Sequence, residues 1–322
     1  MAFYCPDAAM GQRLSSLVAA WDAHTPGLSA AVSITWLRYP QAGPALPGSS
    51  TDAEATATPA AVQGASWQGT LRRDPAALVR LVYLYATEIW LQQDLLEEGE
   101  ELRRALQAMV QRASLEATSL VVDLLSGTTS GPSLAPARRS GWTRQRLLVN
   151  GWLASLDWPE LEGCSATEKL WHDGPYGRDR DLRDALECQG NRFNSEGLAR
   201  LLQTALSGAF LSPSAGRRLR DLLWQAAPSE VQPGVERAPL ADWLRRAIPA
   251  GGGLWGLSAA DGRHWHQALY GERPGQEPIL LVLLCEGDVV ATAAEPLQSL
   301  SRSLLQGMQA PVEGTPPPPP GL

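Results

Sequence analysis

The chain has 322 residues, 44% of them hydrophobic and 19% charged, with 27 basic and 34 acidic side chains and a formal net charge of −7. This balance fits a globular protein large enough for one domain of two lobes over a shared core. It argues against nucleic acid or an acidic membrane surface as a partner, because both repel a net anion. No apolar run reaches the length of a membrane span. The N-terminus lacks a basic start followed by an apolar core, so a cytoplasmic location is expected. Cys5, Cys164, Cys188 and Cys285 show no C-x-x-C spacing and read as isolated, mostly buried thiols in a reducing compartment. Lys169 is the only lysine, which excludes any mechanism that needs two.

Leu14, Leu17, Val18 and Trp21 share one helical face and predict an amphipathic helix over residues 9–23, stopped by Pro26-Gly27. Residues 30–38 alternate, with Val32, Ile34 and Trp36 opposite Ser33 and Thr35, which reads as a half-buried strand. Residues 39–64 are rich in Pro, Ala, Gly, Ser and Thr and read as a long loop. Residues 66–71 suit a short partner strand. A helix over 74–93 follows, with Asp74 as its cap and Pro75 at the first helical position. Leu78, Leu81, Val82, Tyr85 and Ile89 line one side and Val79, Ala86 and Trp90 the other, so this helix is central and buried. Arg80, in its first turn, is the exception and needs a partner or a cleft.

A mostly helical block comes next. Leu102, Leu106, Met109 and Val110 mark one helix behind the acidic run 97–101, and residues 116–125 mark another. Residues 126–132 form a loop, 142–156 a helix, and 157–194 a stretch that is mostly loop. Ser195 and Ser212 are placed to cap two further helices. The last third changes character. A short helix over 239–248 and a glycine hinge at 251–253 precede three strands over 254–259, 264–270 and 279–285. A closing helix over 296–308 and a Pro-rich tail over 311–322 complete the chain. The expected architecture is α+β. An antiparallel sheet of about five strands from both chain ends is flanked by helices and carries an inserted all-helical lobe. The sheet lobe would take residues 9–73 and 215–310 of a single domain spanning 1–310, and the helical lobe 74–214.

Four local stretches carry a likeness. They are Asp74-Pro75-Ala76-Ala77-Leu78-Val79-Arg80-Leu81 at the start of the central helix, the 116–125 helix with its Gly-rich turn, Gly190-Asn191-Arg192-Phe193-Asn194-Ser195, and His266-Gln267-Ala268-Leu269-Tyr270. Together with the element order, they resemble the class A β-lactamase and penicillin-recognising serine hydrolase family, whose signatures are S-x-x-K, S-D-N and K-T-G. The resemblance runs from about Leu14 to Met308 and implies a β-lactamase/transpeptidase-like fold.

The same resemblance places degenerate residues at every catalytic position. Ala77 stands for the nucleophilic serine and Arg80 for the motif lysine. Ala113, Ser114 and Leu115 stand for S-D-N, and Leu257, Ser258 and Ala259 for K-T-G. Glu168 and Asp173 are positional candidates for the general base. Ala77 has no oxygen to attack a carbonyl, and an arginine is a poor proton acceptor. The expected function is therefore a non-catalytic binding or interaction protein, a pseudoenzyme whose old cleft takes a peptide-like, carboxylate or β-lactam-like ligand through Arg80, Ser114 and Ser258. One competing expectation is an active serine hydrolase of β-lactam or amide bonds with a relocated nucleophile, Ser114 or Ser258. Another is a structural relative with no ligand. A pairing of Arg80 with an acid such as Glu116 is the plain structural reading of that residue.

No cofactor and no metal are expected. His264 and His266 share a strand face without a third ligand nearby. Cys164 and His172 fit no nucleophile pattern, and Ser130 reads as a turn residue. The twelve tryptophans fall mostly at core-facing positions. The Pro-rich tail suits an aromatic groove in a protein partner, though a solvated tail is the simpler reading.

Overall fold

The computed structural model describes residues 3–40, 62–186, 190–225 and 252–307. The predicted 239–248 helix, Cys188 and the Pro-rich tail lie outside these residues, as does most of the predicted 39–64 loop.

Six strands form one sheet. They are β1 (Cys5–Pro6), β2 (Val32–Arg38), β3 (Gln63–Trp67), β4 (Gly253–Ala260), β5 (His264–Glu272) and β6 (Ile279–Glu286), in the spatial order β1-β3-β2-β6-β5-β4. All pairings are antiparallel except the two-residue edge strand β1, which runs parallel to β3. β1 is too short to show alternation, so periodicity could not reveal it. β2 and β6, from opposite ends of the chain, lie side by side at the sheet centre, with Val32 opposite Cys285 and Arg38 opposite Ile279.

Two apolar clusters lie on the two faces of this sheet. Val32, Ile34 and Trp36 of β2 and Leu281 and Leu283 of β6 pack with α1 (Ala8–His24) and the C-terminal helix (Val290–Leu305). Leu280, Val282 and Leu284 of β6 face the other way, into the cluster that contains the central helix. β2 is buried on both faces, not half-buried as its alternation predicts. Its polar side is buried because it has partners: the Ser33 hydroxyl accepts from Arg73 Nε at 2.8 Å, and Thr35 bonds Ser195 at 2.8 Å. The C-terminal helix begins at Val290, six residues before the predicted start, and accommodates Pro296 in its interior. Proline there costs one backbone hydrogen bond, which the buried stripe Ala293, Leu297, Leu300 and Leu304 offsets.

α2 (Leu28–Ala31) leads into β2, and among the described residues the helices between β3 and β4 are α3 (Val79–Gln92), α4 (Glu100–Gln111), α5 (Leu115–Ser126), α6 (Pro136–Arg146), α7 (Leu148–Ser155), α8 (Gly177–Ala185), α9 (Ser195–Ser207) and α10 (Pro213–Leu223). The C-terminal helix is α11. Every residue of α3 from Val79 to Trp90 is buried, as its all-round apolar pattern requires. α9 lies on the sheet against β2, β5 and β6. Its cap is Asn194, whose side chain accepts from the Gly197 N–H at 2.7 Å, and not Ser195, which is the first helical residue. α8 falls in the stretch expected to be mostly loop. Leu182 is its one buried apolar side chain, too little to give a helical period. Cys285 is buried as expected, but Cys5 is exposed and Cys164 only half-buried. Among the described residues no helix is long and apolar enough to cross a membrane.

Candidate functional site

The site is built on the turn that leads into α3. Asp74 opens it: its carboxylate accepts from the Ala76 N–H at 2.8 Å, while its own N–H donates to Glu286 at 2.9 Å. A 3-10 turn, Ala76–Leu78, follows before the α-helix proper begins. Ala76 sits at φ +43°, a left-handed conformation that a side chain disfavours. The turn packs against β4 and β5 at the edge of the sheet, and His266 on β5 fastens it there. The Cys285 N–H donates to His266 Nδ1 at 3.1 Å, which leaves the proton on Nε2, and Nε2 donates to the Asp74 carbonyl at 2.9 Å. His266 is wholly buried, and burial pushes its pKa down to about 3, aided by the neighbouring His264. With both ring nitrogens engaged it is a neutral structural histidine. His264 makes its own contact, Nδ1 to Asp261 at 3.0 Å.

Ala77 and Arg80 lie on this turn and the first turn of α3. Arg80 Nη2 donates to the Ala113 carbonyl at 2.7 Å, and Nε donates to Thr118 Oγ1 at 3.2 Å. Ala113, at φ +55°, turns its carbonyl toward the guanidinium. These bonds join the start of the central helix to the turn before α5. The expected pairing of Arg80 with Glu116 does not form: Glu116 is exposed and accepts instead from Ser114 Oγ at 2.9 Å. Among the described residues no carboxylate comes within 4 Å of Arg80, which is 4% exposed. Burial alone pushes its guanidinium down to about 10, still protonated at neutral pH.

The remaining positions lie at the start of α5, on β4 and in the 157–173 stretch. Ser114 caps α5, its hydroxyl accepting from the Ala117 N–H at 3.1 Å, and Leu115 begins that helix. Leu257, Ser258 and Ala259 lie on β4 opposite Ala268, Gln267 and His266, on the strand that flanks the 3-10 turn. Glu168 is buried and held by Arg183, whose Nε donates to it at 2.7 Å and whose Nη2 donates to its second oxygen. A carboxylate committed to a guanidinium is a poor general base. The Glu168 carbonyl accepts from the Tyr83 hydroxyl at 2.7 Å, which ties this segment to α3. Asp173 is exposed and accepts from the Tyr176 hydroxyl. Lys169 is buried and donates to Asp123 at 2.7 Å, within a chain of ion pairs that continues through Arg146 to Asp179. Cys164 donates to the Glu160 carbonyl, and burial raises its thiol to about 11, unlike a nucleophilic cysteine.

Sequence reasoning missed Asn191 as a clamp. Its Oδ1 accepts from the Thr167 and Glu168 N–H groups at 2.9 Å each, and so fixes the backbone that presents Glu168. The stretch 190–195 drew notice, but nothing in its spacing identifies which residue bonds across 23 positions of chain.

Most of the chain superposes on class A β-lactamases and on PBP-A. The ancestral class A β-lactamase of the last common ancestor of Gram-negative bacteria matches with a TM-score of 0.58 over 92% of this chain and 100% of its own, at 14% identity. PBP-A matches with a TM-score of 0.60 over 94% and 97%, at 13% identity. The β-lactamase of Sphaerobacter thermophilus matches at 0.57 over 92% and 98%, at 14% identity. The chain has the α+β fold of the β-lactamases. No protein-family model and no curated protein sequence matches it. At this identity the likeness is one of fold, and the chemistry rests on the residues described above.

Proposed function

We propose that this chain is a non-catalytic binding protein, and that its β-lactamase-like cleft holds a small carboxylate-bearing ligand, peptide-like or β-lactam-like, against Arg80. One observation carries this reading: a buried, protonated guanidinium stands beside Ala77, hydrogen-bonded to the Ala113 carbonyl and the Thr118 hydroxyl, with no carboxylate within 4 Å among the described residues. A buried charge without a counter-ion is costly, and a ligand carboxylate relieves that cost through charge-assisted hydrogen bonds. Ala77 supports the non-catalytic half of the proposal. Acyl transfer needs a nucleophile, and losing one from a catalytic constellation lowers turnover by about 10⁶-fold.

The test is titration of the purified chain with N-acetyl-D-alanyl-D-alanine and with its C-terminal amide, read by calorimetry. The carboxylate form should bind and the amide should bind at least about tenfold more weakly. Arg80→Met should abolish the difference, while its unfolding midpoint stays close to the parent's. Equal binding of acid and amide, or unchanged discrimination in Arg80→Met, would remove Arg80 from the site.

A further inference from the structure

A cavity lies at the far end of the central helix. It has a volume of about 270 Å³ and opens between α4, α10 and the last turn of α3. Arg80 and Leu91 are eleven residues apart on α3, which places the cavity about 16 Å from the Arg80 guanidinium's helical turn.

Four leucines form its apolar lining: Leu91, Leu102, Leu106 and Leu222. Its rim carries three carboxylates and two guanidiniums, and the pairing among them is uneven. Glu88, only 1% exposed, accepts from Arg218 at 2.7 Å. Glu98 accepts from Arg103 at 3.1 Å. Asp221, exposed on α10, has no ion-pair partner within 4 Å among the described residues. The cavity therefore carries one uncompensated negative charge at the edge of an apolar floor. Apolar lining with a few placed polar groups is the usual composition of a small-molecule site, and the volume suits a fragment-sized molecule.

We infer that this cavity binds a small amphipathic cation, an aryl- or alkylammonium whose hydrocarbon body covers the four leucines and whose head pairs with Asp221. The Glu88–Arg218 pair forms the polar wall and stays intact. Because Glu88 is buried and already matched, the charge that selects the ligand is Asp221.

The probe is 4-phenylbutylammonium, titrated calorimetrically into the full chain at low salt, with 4-phenylbutanol and 4-phenylbutyrate as the neutral and anionic counterparts. Saturable 1:1 binding of the amine is expected. The alcohol should bind about fivefold more weakly, the scale of one partly exposed ion pair, and the butyrate more weakly again. Asp221→Asn, a surface change, should bring the amine to the affinity of the alcohol. Leu222→Trp, which fills the half-buried side of the cavity, should abolish binding of both, and Arg80→Met should leave binding unchanged. Absence of saturable amine binding, equal affinity for amine and butyrate, or undiminished amine affinity in Asp221→Asn would overturn the inference.

Discussion

Ala76 keeps a left-handed backbone in front of a residue that has no side-chain oxygen. Such strain costs on the order of 1–3 kcal/mol and tends to be kept where a site needs it. Here the packing of the turn on β4 and β5 and the His266–Asp74 bond hold it in place. A hydroxyl placed at that spot should not by itself confer turnover. In Ala77→Ser the flanking Arg80, with a pKa of about 10, remains protonated at neutral pH, and Glu168 remains held by Arg183. No turnover of a chromogenic penicillin at pH 7 is expected from that variant, and turnover near that of a working β-lactamase would contradict the account. His266 gives a second prediction at this scale. In the unfolded chain it takes a proton near 6.5, in the folded chain only near 3. Between those values the unfolded state holds more protons, so stability falls as pH is lowered from about 6.5, by at most about 1.4 kcal/mol per pH unit. Urea midpoints between pH 7 and pH 4 should show this slope, and His266→Gln should flatten it. Identical slopes would remove His266 as its source.

The strands and helices with a clear period were legible from the sequence. α1, α4, α5, α10 and β4 to β6 stand within a few residues of where periodicity puts them, whereas α3 begins at Val79 and not at the expected Asp74–Pro75 cap, because the chain first makes the 3-10 turn Ala76–Leu78. Elements without a period were not. α8 has a single buried leucine, and β1 is two residues long. Position in the fold was also hidden. Ser33 and Thr35 look solvent-facing by alternation, yet Arg73 and Ser195 cover them, and only tertiary contacts can reveal that. The same limit applied to the site. The residue types at Ala77 and Arg80 were readable, but the bonds from Arg80 to Ala113 and Thr118, in place of Glu116, depend on how α3 meets α5. Gly256 shows what one position of β4 demands. It sits at φ +138°, and a Cβ there would lie 2.0 Å from the Ala268 carbonyl oxygen on β5. Gly256→Ala should therefore pull β4 away from β5 and destabilise the fold by several kcal/mol, at the upper end of single substitutions. A thermal midpoint within 2 °C of the parent would show that the strand tolerates the side chain.

At the scale of the molecule, one sheet is buried on both faces by two separate apolar clusters, and the site lies where the helical cluster meets the sheet edge. The turn before α3 packs on β4 and β5, and the Tyr83 hydroxyl of α3 donates to the Glu168 carbonyl, which ties that segment to the same helix. What this sequence puts there is an alanine, a buried arginine and a carboxylate already neutralised by another arginine. On the function proposed above, that arrangement holds an anion and forms no covalent intermediate. The most direct test of this claim is intact mass spectrometry of the full chain after prolonged incubation with benzylpenicillin, run beside a hydrolysis assay with a chromogenic penicillin. The account predicts an unchanged protein mass and hydrolysis at the background rate. A mass increase equal to one penicilloyl group, mapped to Ser114, Ser258 or any other hydroxyl, would contradict it.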